Sequence, residues 1–194
     1  MFVSAEAKVD EFFMRFGGAA YADGFCDIER LIPSNFPFMP YQVACRFRKR
    51  AEASRPVLYQ IGVGIFTANA TPPYKSWEEF APEVEKGLRA LIATRSEDER
   101  ESSFFSISLR YIDAFGPDLT QGRDITSFLA NVLGIKVGLP DVLLKNVDSD
   151  KAVKSYLQVQ LPLDSGMSMS VGVGEGVAGG ASSIILDMTI SSTD

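Results

Sequence analysis

The spacing of hydrophobic residues divides the chain into helical and extended segments. Apolar side chains that recur every three or four residues predict amphipathic helices over 4–16, 76–93 and 124–133. A residue with N-cap chemistry begins each segment, and glycine follows two of them, as helix ends favour. The predicted caps are Ser4, Ser76 and Asp124, and the predicted stops are Gly17-Gly18 and Gly134.

Other segments alternate apolar and polar residues, which is the pattern of half-buried strands. Gly62 and Gly64 predict a bulge or a tight hairpin at their position. Between the first helix and the first strand, Asp27 to Ile32 has the pattern of a short helical turn, and the prolines after it favour an irregular arm. The predicted strands are 41–49, 57–63, 65–70, 104–115, 153–163, 167–174 and 182–191.

This alternation predicts the fold class. It is typical of an antiparallel sheet that packs one face under helices and turns the other toward water or a partner, whereas strands of a parallel sheet are apolar on both faces. We therefore predict an α+β fold, with a largely antiparallel sheet whose one face is covered by two or three helices and whose other face is polar. At 194 residues we expect a single domain. An N-terminal helix and irregular arm occupy 1–40, and the sheet-and-helix core occupies 41–194.

The predicted polar face carries mainly short, uncharged side chains, where a merely solvated face would carry more Lys and Glu. Such a surface favours hydrogen bonding to a ligand or to another protein. The alternatives are a face shielded by the N-terminal arm and a face used for self-association. The candidate ligand- or partner-binding residues are Ser106, Ser108, Arg110, Gln158, Gln160 and Asp187.

The chemistry of the chain is bounded by the complete absence of histidine. This excludes Ser-His-Asp and Cys-His catalysis and most zinc-hydrolase sites. We expect no catalytic residue, no metal site and no cofactor. One alternative is a carboxylate- or magnesium-dependent hydrolase around Asp113, Asp187 and Arg110. The segment 174–179 matches G-x-G-x-x-G, but a predicted strand follows it instead of a helix, so we expect a hairpin loop there.

Charge and cysteine content restrict the partners. The net charge of −6 argues against a nucleic-acid partner, since duplex affinity depends on cationic contacts to phosphate. The exception is a run in which Arg46, Arg48 and Arg50 share one face of a predicted strand. We expect Cys26 and Cys45 to be free thiols. The chain has no apolar run of membrane-spanning length and no pattern of a secretory signal near its start, so we expect no membrane association and a cytoplasmic location.

Six short motifs occur in order along the predicted elements: Tyr59-Gln60-Ile61-Gly62, Asn69-Ala70-Thr71-Pro72-Pro73-Tyr74, Trp77-Glu78-Glu79-Phe80, Leu109-Arg110-Tyr111-Ile112-Asp113, Gln158-Val159-Gln160-Leu161-Pro162-Leu163 and Ile185-Leu186-Asp187-Met188. Together these motifs resemble a sporadically distributed prokaryotic family of conserved hypothetical proteins. The resemblance covers about 33–190, and members of that family continue into a further helix after the last strand. It implies no established activity, cofactor or catalytic residue.

These features together favour a non-enzymatic binding or interaction protein that acts through a polar sheet face or a sheet edge. We expect it to self-associate as a homo-oligomer or to bind an unidentified protein partner. The first alternative is a small-molecule-binding α+β domain, with an apolar cavity between the sheet and the helix that begins near Ser76. The second alternative is the hydrolase described above.

Overall fold

The computed structural model describes residues 5–33, 36–50, 57–100, 102–136, 138, 140–145, 155–164 and 166–192. The chain divides into two compact units, Met1–Ser102 and Ser103–Asp194. Each unit contains a four-stranded antiparallel sheet and helices, so the predicted α+β class is confirmed. The strands form two sheets, however, and not the one sheet that was expected, since local alternation does not record which strands pair. The prediction of a single domain stays a prediction. Within the described residues, no helix combines the length and the apolar character needed to cross a membrane.

The first unit is a meander of strands between helices. Its sheet follows the order of the chain, β1-β2-β3-β4, and every neighbouring pair is antiparallel. The turn Val63-Gly64 closes the hairpin between β3 and β4, and Gly64 has a φ of 75°. The elements are α1 (Ala5–Ala22), β1 (Asp27–Arg30), β2 (Val43–Arg48), β3 (Val57–Gly62), β4 (Ile65–Ala70), α2 (Trp77–Thr94) and α3 (Glu97–Arg100).

An aromatic cluster forms the core of the first unit. Phe25 stacks on Tyr59 with ring centroids 4.0 Å apart, and Phe16 meets Phe47 edge-on at 5.1 Å. All four side chains are fully or almost fully buried. The hydroxyl of Tyr59 donates to the carbonyl oxygen of Glu83 in α2, so the largest ring of this core has its polar atom satisfied.

Helix α1 is longer than the sequence predicts, because Gly17-Gly18 lies inside it and does not end it. The helix ends six residues later. Gly24, with a φ of 90°, donates to the carbonyl of Tyr21, while Phe25 donates back to Ala20. This is the hydrogen-bond pattern of a Schellman motif, which needs a left-handed residue at the position of Gly24. Gly17 has a different use, because a Cβ there would lie only 3.2 Å from the ring of Phe47.

The segment after α1 corrects a second prediction. Asp27 to Arg30 is a strand, β1, rather than a helical turn, and it pairs with β2 from Asp27 opposite Arg48 to Arg30 opposite Cys45. Tertiary pairing therefore overrides the weak helical pattern of a short segment. The chain then continues without regular structure up to β2, apart from residues 34–35, which lie outside the described residues.

Helix α2 carries a buried carboxylate that is paired with a lysine just after strand β2. The side chain of Glu83 is 3% exposed; it accepts from the ammonium of Lys49 at 2.7 Å and from that of Lys86 at 3.0 Å. Burial by itself would raise the pKa of Glu83, but the hydrogen bonds and charges of the two lysines outweigh it and hold the pKa below its ordinary value. In the sequence, the position of Glu83 in the first turns of a helix indicates only an interaction with the helix dipole. The sequence therefore does not predict the pairing of Glu83 with Lys49 and Lys86.

The second unit has a non-sequential sheet. The strand order is β5-β8-β7-β6, with every neighbouring pair antiparallel, so β5 and β6 are its edges. The hairpin β7-β8 turns at Gly179-Gly180, both of which have positive φ. The elements are β5 (Ser108–Phe115), α4 (Pro117–Thr120), α5 (Ile125–Asn131), α6 (Asp141–Leu144), β6 (Tyr156–Leu163), β7 (Met167–Ala178) and β8 (Ala181–Ser192).

The core of the second unit forms where helix α5 covers one end of the sheet. Phe128 and Leu129 from α5 are at most 1% exposed, and they belong to the same buried cluster as Val173 and Ile184 from the strands. Asp124 caps the helix as predicted, since its carboxylate accepts from the backbone N–H of Ser127 at 2.9 Å. The helix therefore begins where the sequence placed it.

Candidate functional site

The register of the second sheet separates its residues into two faces. Residues directly opposite one another on paired strands share a face, and the face alternates along each strand. One row runs from Arg110 through Thr189 and Ser170 to Gln160, and the next row contains Asp187, Gly172 and Gln158. The opposite face carries mainly apolar residues, among them Leu109, Tyr111, Val159, Leu161, Met169, Val171, Val173, Leu186 and Ile190. The predicted polar face is therefore present on this sheet.

The polar face holds an ion pair between the edge strand β5 and its neighbour β8. The Nε of Arg110 in β5 donates to Oδ1 of Asp187 in β8 at 2.9 Å, and its Nη2 donates to Oδ2. The hydrogen bond from Arg110 holds the pKa of Asp187 below its ordinary range, and the same bond raises the pKa of Arg110. Both groups stay charged and offset each other, so the face has strong hydrogen-bonding groups and little net charge.

Tyr156 adds an aromatic surface to this face. Its side chain lies over β7, where a Cβ on Gly174 would come within 2.8 Å of the ring and one on Gly172 within 3.2 Å of the hydroxyl oxygen. The ring therefore occupies the space that side chains on β7 would fill, while the residue stays 72% exposed. Tyr156 and Gly172 are not among the site residues predicted from the sequence. The signal was the alternation of glycines in β7, at 172, 174 and 176, which leaves that part of one face of the strand without side chains.

These residues enclose a shallow depression of about 320 Å³ on the polar face. A second depression of about 250 Å³ lies on the other side of Tyr156, beside Ser155 and Glu175. Both are open to solvent, so they form an uneven surface rather than an enclosed ligand cavity. The larger depression is lined by Arg110, Tyr156, Gln158, Ser170, Gly172, Asp187 and Thr189.

The structure brings some of the predicted site residues together and not others. Arg110, Asp187 and Gln158 line one depression. Gln160 lies on the same face one row away, and Ser108 lies at the end of β5 opposite Ser191. Ser106 is a correction, because β5 begins at Ser108 and Ser106 therefore precedes the sheet. The strand is shorter than the alternation of its sequence predicts.

The arrangement offers little for carboxylate or metal chemistry. Asp113 pairs with Leu186 on the apolar face, so the sheet separates it from Asp187. Asp187 itself is engaged by Arg110. Among the described residues, no three His, Cys, Asp or Glu side chains meet in a group that could hold a metal ion. The G-x-G-x-x-G segment runs along β7 into a β-hairpin, so no helix N-terminus is available there for a phosphate.

The arginine cluster of the first unit is partly neutralised. The Nη1 atoms of Arg46 and Arg48 lie 3.1 and 3.0 Å from the same carboxylate oxygen of Glu29 on the neighbouring strand. Strand β2 ends at Arg48, so Arg50 lies beyond the strand. The prediction that Arg50 shares a strand face with Arg46 and Arg48 is therefore wrong. Phe47 points to the other side and is buried, in agreement with the alternation.

The two cysteines are free in the structure. Cys45 is buried in strand β2, and burial raises the pKa of its thiol. Cys26 is partly exposed and precedes β1. The predicted free thiols are therefore found, and the less accessible of the two is the less reactive one.

Comparison of the chain with protein-family models, with curated proteins and with solved structures finds no match.

Proposed function

We propose that this protein is a non-enzymatic binding protein whose interaction surface is the polar face of the β5-β8-β7-β6 sheet, and that it self-associates. The observation that carries the proposal is the combination of residues on this face. A bidentate Arg110–Asp187 pair lies beside the exposed ring of Tyr156. That ring lies over strand β7, whose residues at this point are glycines. Arginine and tyrosine are the residues most enriched at the centres of protein interfaces, while lysine and glutamate are depleted there.

The remaining side chains of the face fit the same function. Gln158, Ser170 and Thr189 present uncharged donors and acceptors, and Ile112, 57% exposed, adds an apolar contact next to Asp187. Such a surface forms hydrogen bonds without requiring an opposite net charge from its partner. It therefore favours a protein surface of mixed polarity over a strongly charged polymer.

The alternative of an apolar cavity under helix α2 has less support. Gly87 of α2 lies so close to the first sheet that a Cβ there would come within 2.8 Å of Phe66 and 2.9 Å of Tyr59. The helix and the strands are in direct contact at this point, which leaves no room for a ligand between them.

The proposal is tested by removing the ion pair as a unit. The double variant R110A/D187A truncates both charged side chains and leaves neither charge unpaired. Wild-type and variant proteins are immobilised and exposed to an extract of the native host, and retained proteins are identified by mass spectrometry. Each candidate is then purified, and its affinity is measured by calorimetry with both proteins.

We expect a partner whose affinity falls at least tenfold in R110A/D187A, as for the loss of an interface anchor. The matched control is R89A, which removes an exposed arginine from helix α2 of the first unit, where its side chain is 75% exposed. An affinity that is the same in wild type, control and double variant for every candidate overturns the assignment of the function to this face.

A further inference from the structure

Among the described residues, no strand pairs with the outer edge of β6, and the direction of the backbone groups on that edge follows from the register of the whole sheet. The N–H of Ser192 donates to the carbonyl of Ile107, so the even-numbered residues of β8 direct their backbone groups toward β5. The odd-numbered residues of β8 then face β7, and the continuous registers carry this alternation across to β6. In β6 the odd-numbered residues face β7, and the even-numbered ones direct N–H and C=O outward.

The outward residues of β6 are therefore Tyr156, Gln158 and Gln160, followed by Pro162. Pro162 has no N–H to donate, and proline is tolerated in a sheet where its nitrogen faces away from the neighbouring strand. Its presence at this position agrees with the direction derived from the registers. The open part of the edge thus runs from Tyr156 to Leu161 and ends at Pro162.

Charged side chains and proline are among the features that protect the edge strands of monomeric proteins, and of these two β6 has only Pro162, near its C-terminal end. It contains no charged residue over eight positions, whereas β5 carries Arg110 and Asp113 and β1 carries Asp27, Glu29 and Arg30. Strand β4 also lacks charges, but it is shorter and none of its residues is exposed. In β6, Val159 and Leu161 are 36% and 44% exposed on the apolar face.

We propose that two copies of this chain pair antiparallel along β6, about a twofold axis at Gln158, so that their second sheets join into one. In this register Gln158 lies opposite Gln158 of the second copy, and Tyr156 lies opposite Gln160. Every outward N–H and C=O of these three residues then finds a partner, and Pro162 lies beyond the pairing. Shifting the axis to Val159 or Gln160 brings Pro162 opposite a residue whose carbonyl then lacks a donor.

The same register matches the two faces of the sheet. Leu157 and Val159 face their counterparts on the apolar side, and the glutamines and Tyr156 meet on the polar side, so no side chain changes face. Like charges cannot oppose each other, because the strand has none. The pairing is self-complementary, as a twofold interface requires. Because the outward backbone groups of β6 are paired in the dimer, a third copy cannot add to this edge. This inference rests on the proposed function, because it makes one continuous binding surface from two polar faces.

The self-pairing is tested first on the wild-type protein. Light scattering with size-exclusion chromatography is expected to give twice the chain mass of 21.2 kDa, falling toward one mass on dilution. Hydrogen exchange followed by NMR identifies the edge. The amides of Leu157, Val159 and Leu161 bond to β7 and are protected at all concentrations, whereas those of Tyr156, Gln158 and Gln160 become protected only in the dimer.

Two variants complete the test. Q158P removes the central outward N–H but no bond to β7, and V159K places a charge on the apolar side of the joint; both are expected to give the monomer mass with an unchanged circular dichroism spectrum. The control Q158A keeps the backbone N–H and is expected to stay dimeric. A monomeric wild type overturns the inference, as does a dimer in which the three amides exchange freely or which both variants leave intact.

The two proposals fail separately. A monomeric wild type that still binds a partner through the Arg110–Asp187 pair overturns the self-association and the edge pairing, and leaves the binding face standing. A β6 dimer for which R110A/D187A changes no affinity overturns the binding face alone.

Discussion

At the scale of single residues, Glu83 shows how a buried charge depends on its partners. Its side chain is 3% exposed and that of Lys49 is 14% exposed. If either charge is removed, water therefore cannot reach the other charge to take its partner's place. Removing one member of such a pair leaves the second uncompensated, which costs more than the pair itself contributes. Lys49 also lies 4.8 Å from the ring centroid of Phe25, so the ammonium has an aromatic neighbour as well.

Glu83→Gln is therefore expected to lower the free energy of unfolding by about 2–4 kcal/mol, because the Lys49 ammonium stays buried without its counter-charge. Urea denaturation at neutral pH measures the change. The control on the same helix is Glu85→Gln, since the side chain of Glu85 is 63% exposed and pairs with Arg89 at the surface. That change is expected to stay within about 0.5 kcal/mol. Equal effects of the two substitutions would contradict the role of burial.

The same residue gives a prediction for pH. The pKa of Glu83 in the folded protein lies below its ordinary value of 4.5, so the unfolded chain binds the proton more readily. The contribution of Glu83 to stability is therefore complete above the ordinary value and is lost as the pH falls through the lower folded pKa. Urea denaturation of wild type and Glu83→Gln from pH 7 downward is expected to show a difference that shrinks only below pH 4.5. A difference independent of pH would refute the ionised state of Glu83.

At the scale of elements, two helical glycines have opposite roles. A Cβ on Gly87 in α2 would meet the rings of Phe66 and Tyr59 at 2.8 and 2.9 Å, whereas a Cβ on Gly18 in α1 meets nothing within 4 Å. Alanine is the better helix former at both positions, so only the contacts with other elements separate the two cases.

Gly87→Ala is expected to destabilise the protein by about 1–3 kcal/mol, because α2 must move away from the sheet or force the rings off their rotamers. Gly18→Ala is expected to stabilise it by about 0.5–1 kcal/mol through helix propensity. Thermal and urea unfolding of the two variants, which carry the same chemical change, measures both. Destabilisation by Gly18→Ala, or stabilisation by Gly87→Ala, would contradict the packing of these helices.

At the scale of the whole molecule, the two hydrophobic clusters have no buried residue in common. The sequence predicts one domain, whereas separate cores predict two cooperative units, and unfolding distinguishes these outcomes. The chain has a single tryptophan, Trp77, which lies in the first unit and reports on it by fluorescence.

Leu129→Ala is expected to destabilise the second unit by about 2–5 kcal/mol, because it opens a cavity in the core under α5. Hydrogen exchange with mass spectrometry of peptides from residues 103–194 is expected to show the loss of protection, while the urea midpoint of Trp77 fluorescence stays unchanged. If the fluorescence midpoint falls in parallel with the protection, the chain unfolds as one domain.

The local pattern of the chain determined its elements where the signal was long and periodic. Helix α2 begins at its predicted cap, Ser76, the hairpin turns at Val63-Gly64, and the alternation of β5, β6 and β7 correctly separates a polar from an apolar face. Short segments were less well determined. Strand β1 has only four residues, and pairing with β2 decides its conformation, which no local spacing records.

The sequence by itself determined the α+β class and which face of each strand is polar, because periodicity follows from the geometry of one helix or one strand. Only the tertiary structure decided which strands are neighbours. The order β5-β8-β7-β6 pairs Arg110 with Asp187, places Tyr156 over the glycines of β7 and leaves β6 at an edge. These relations join residues that lie far apart along the chain, and many strand orders satisfy the same local alternation, so they depend on packing of the complete sheet.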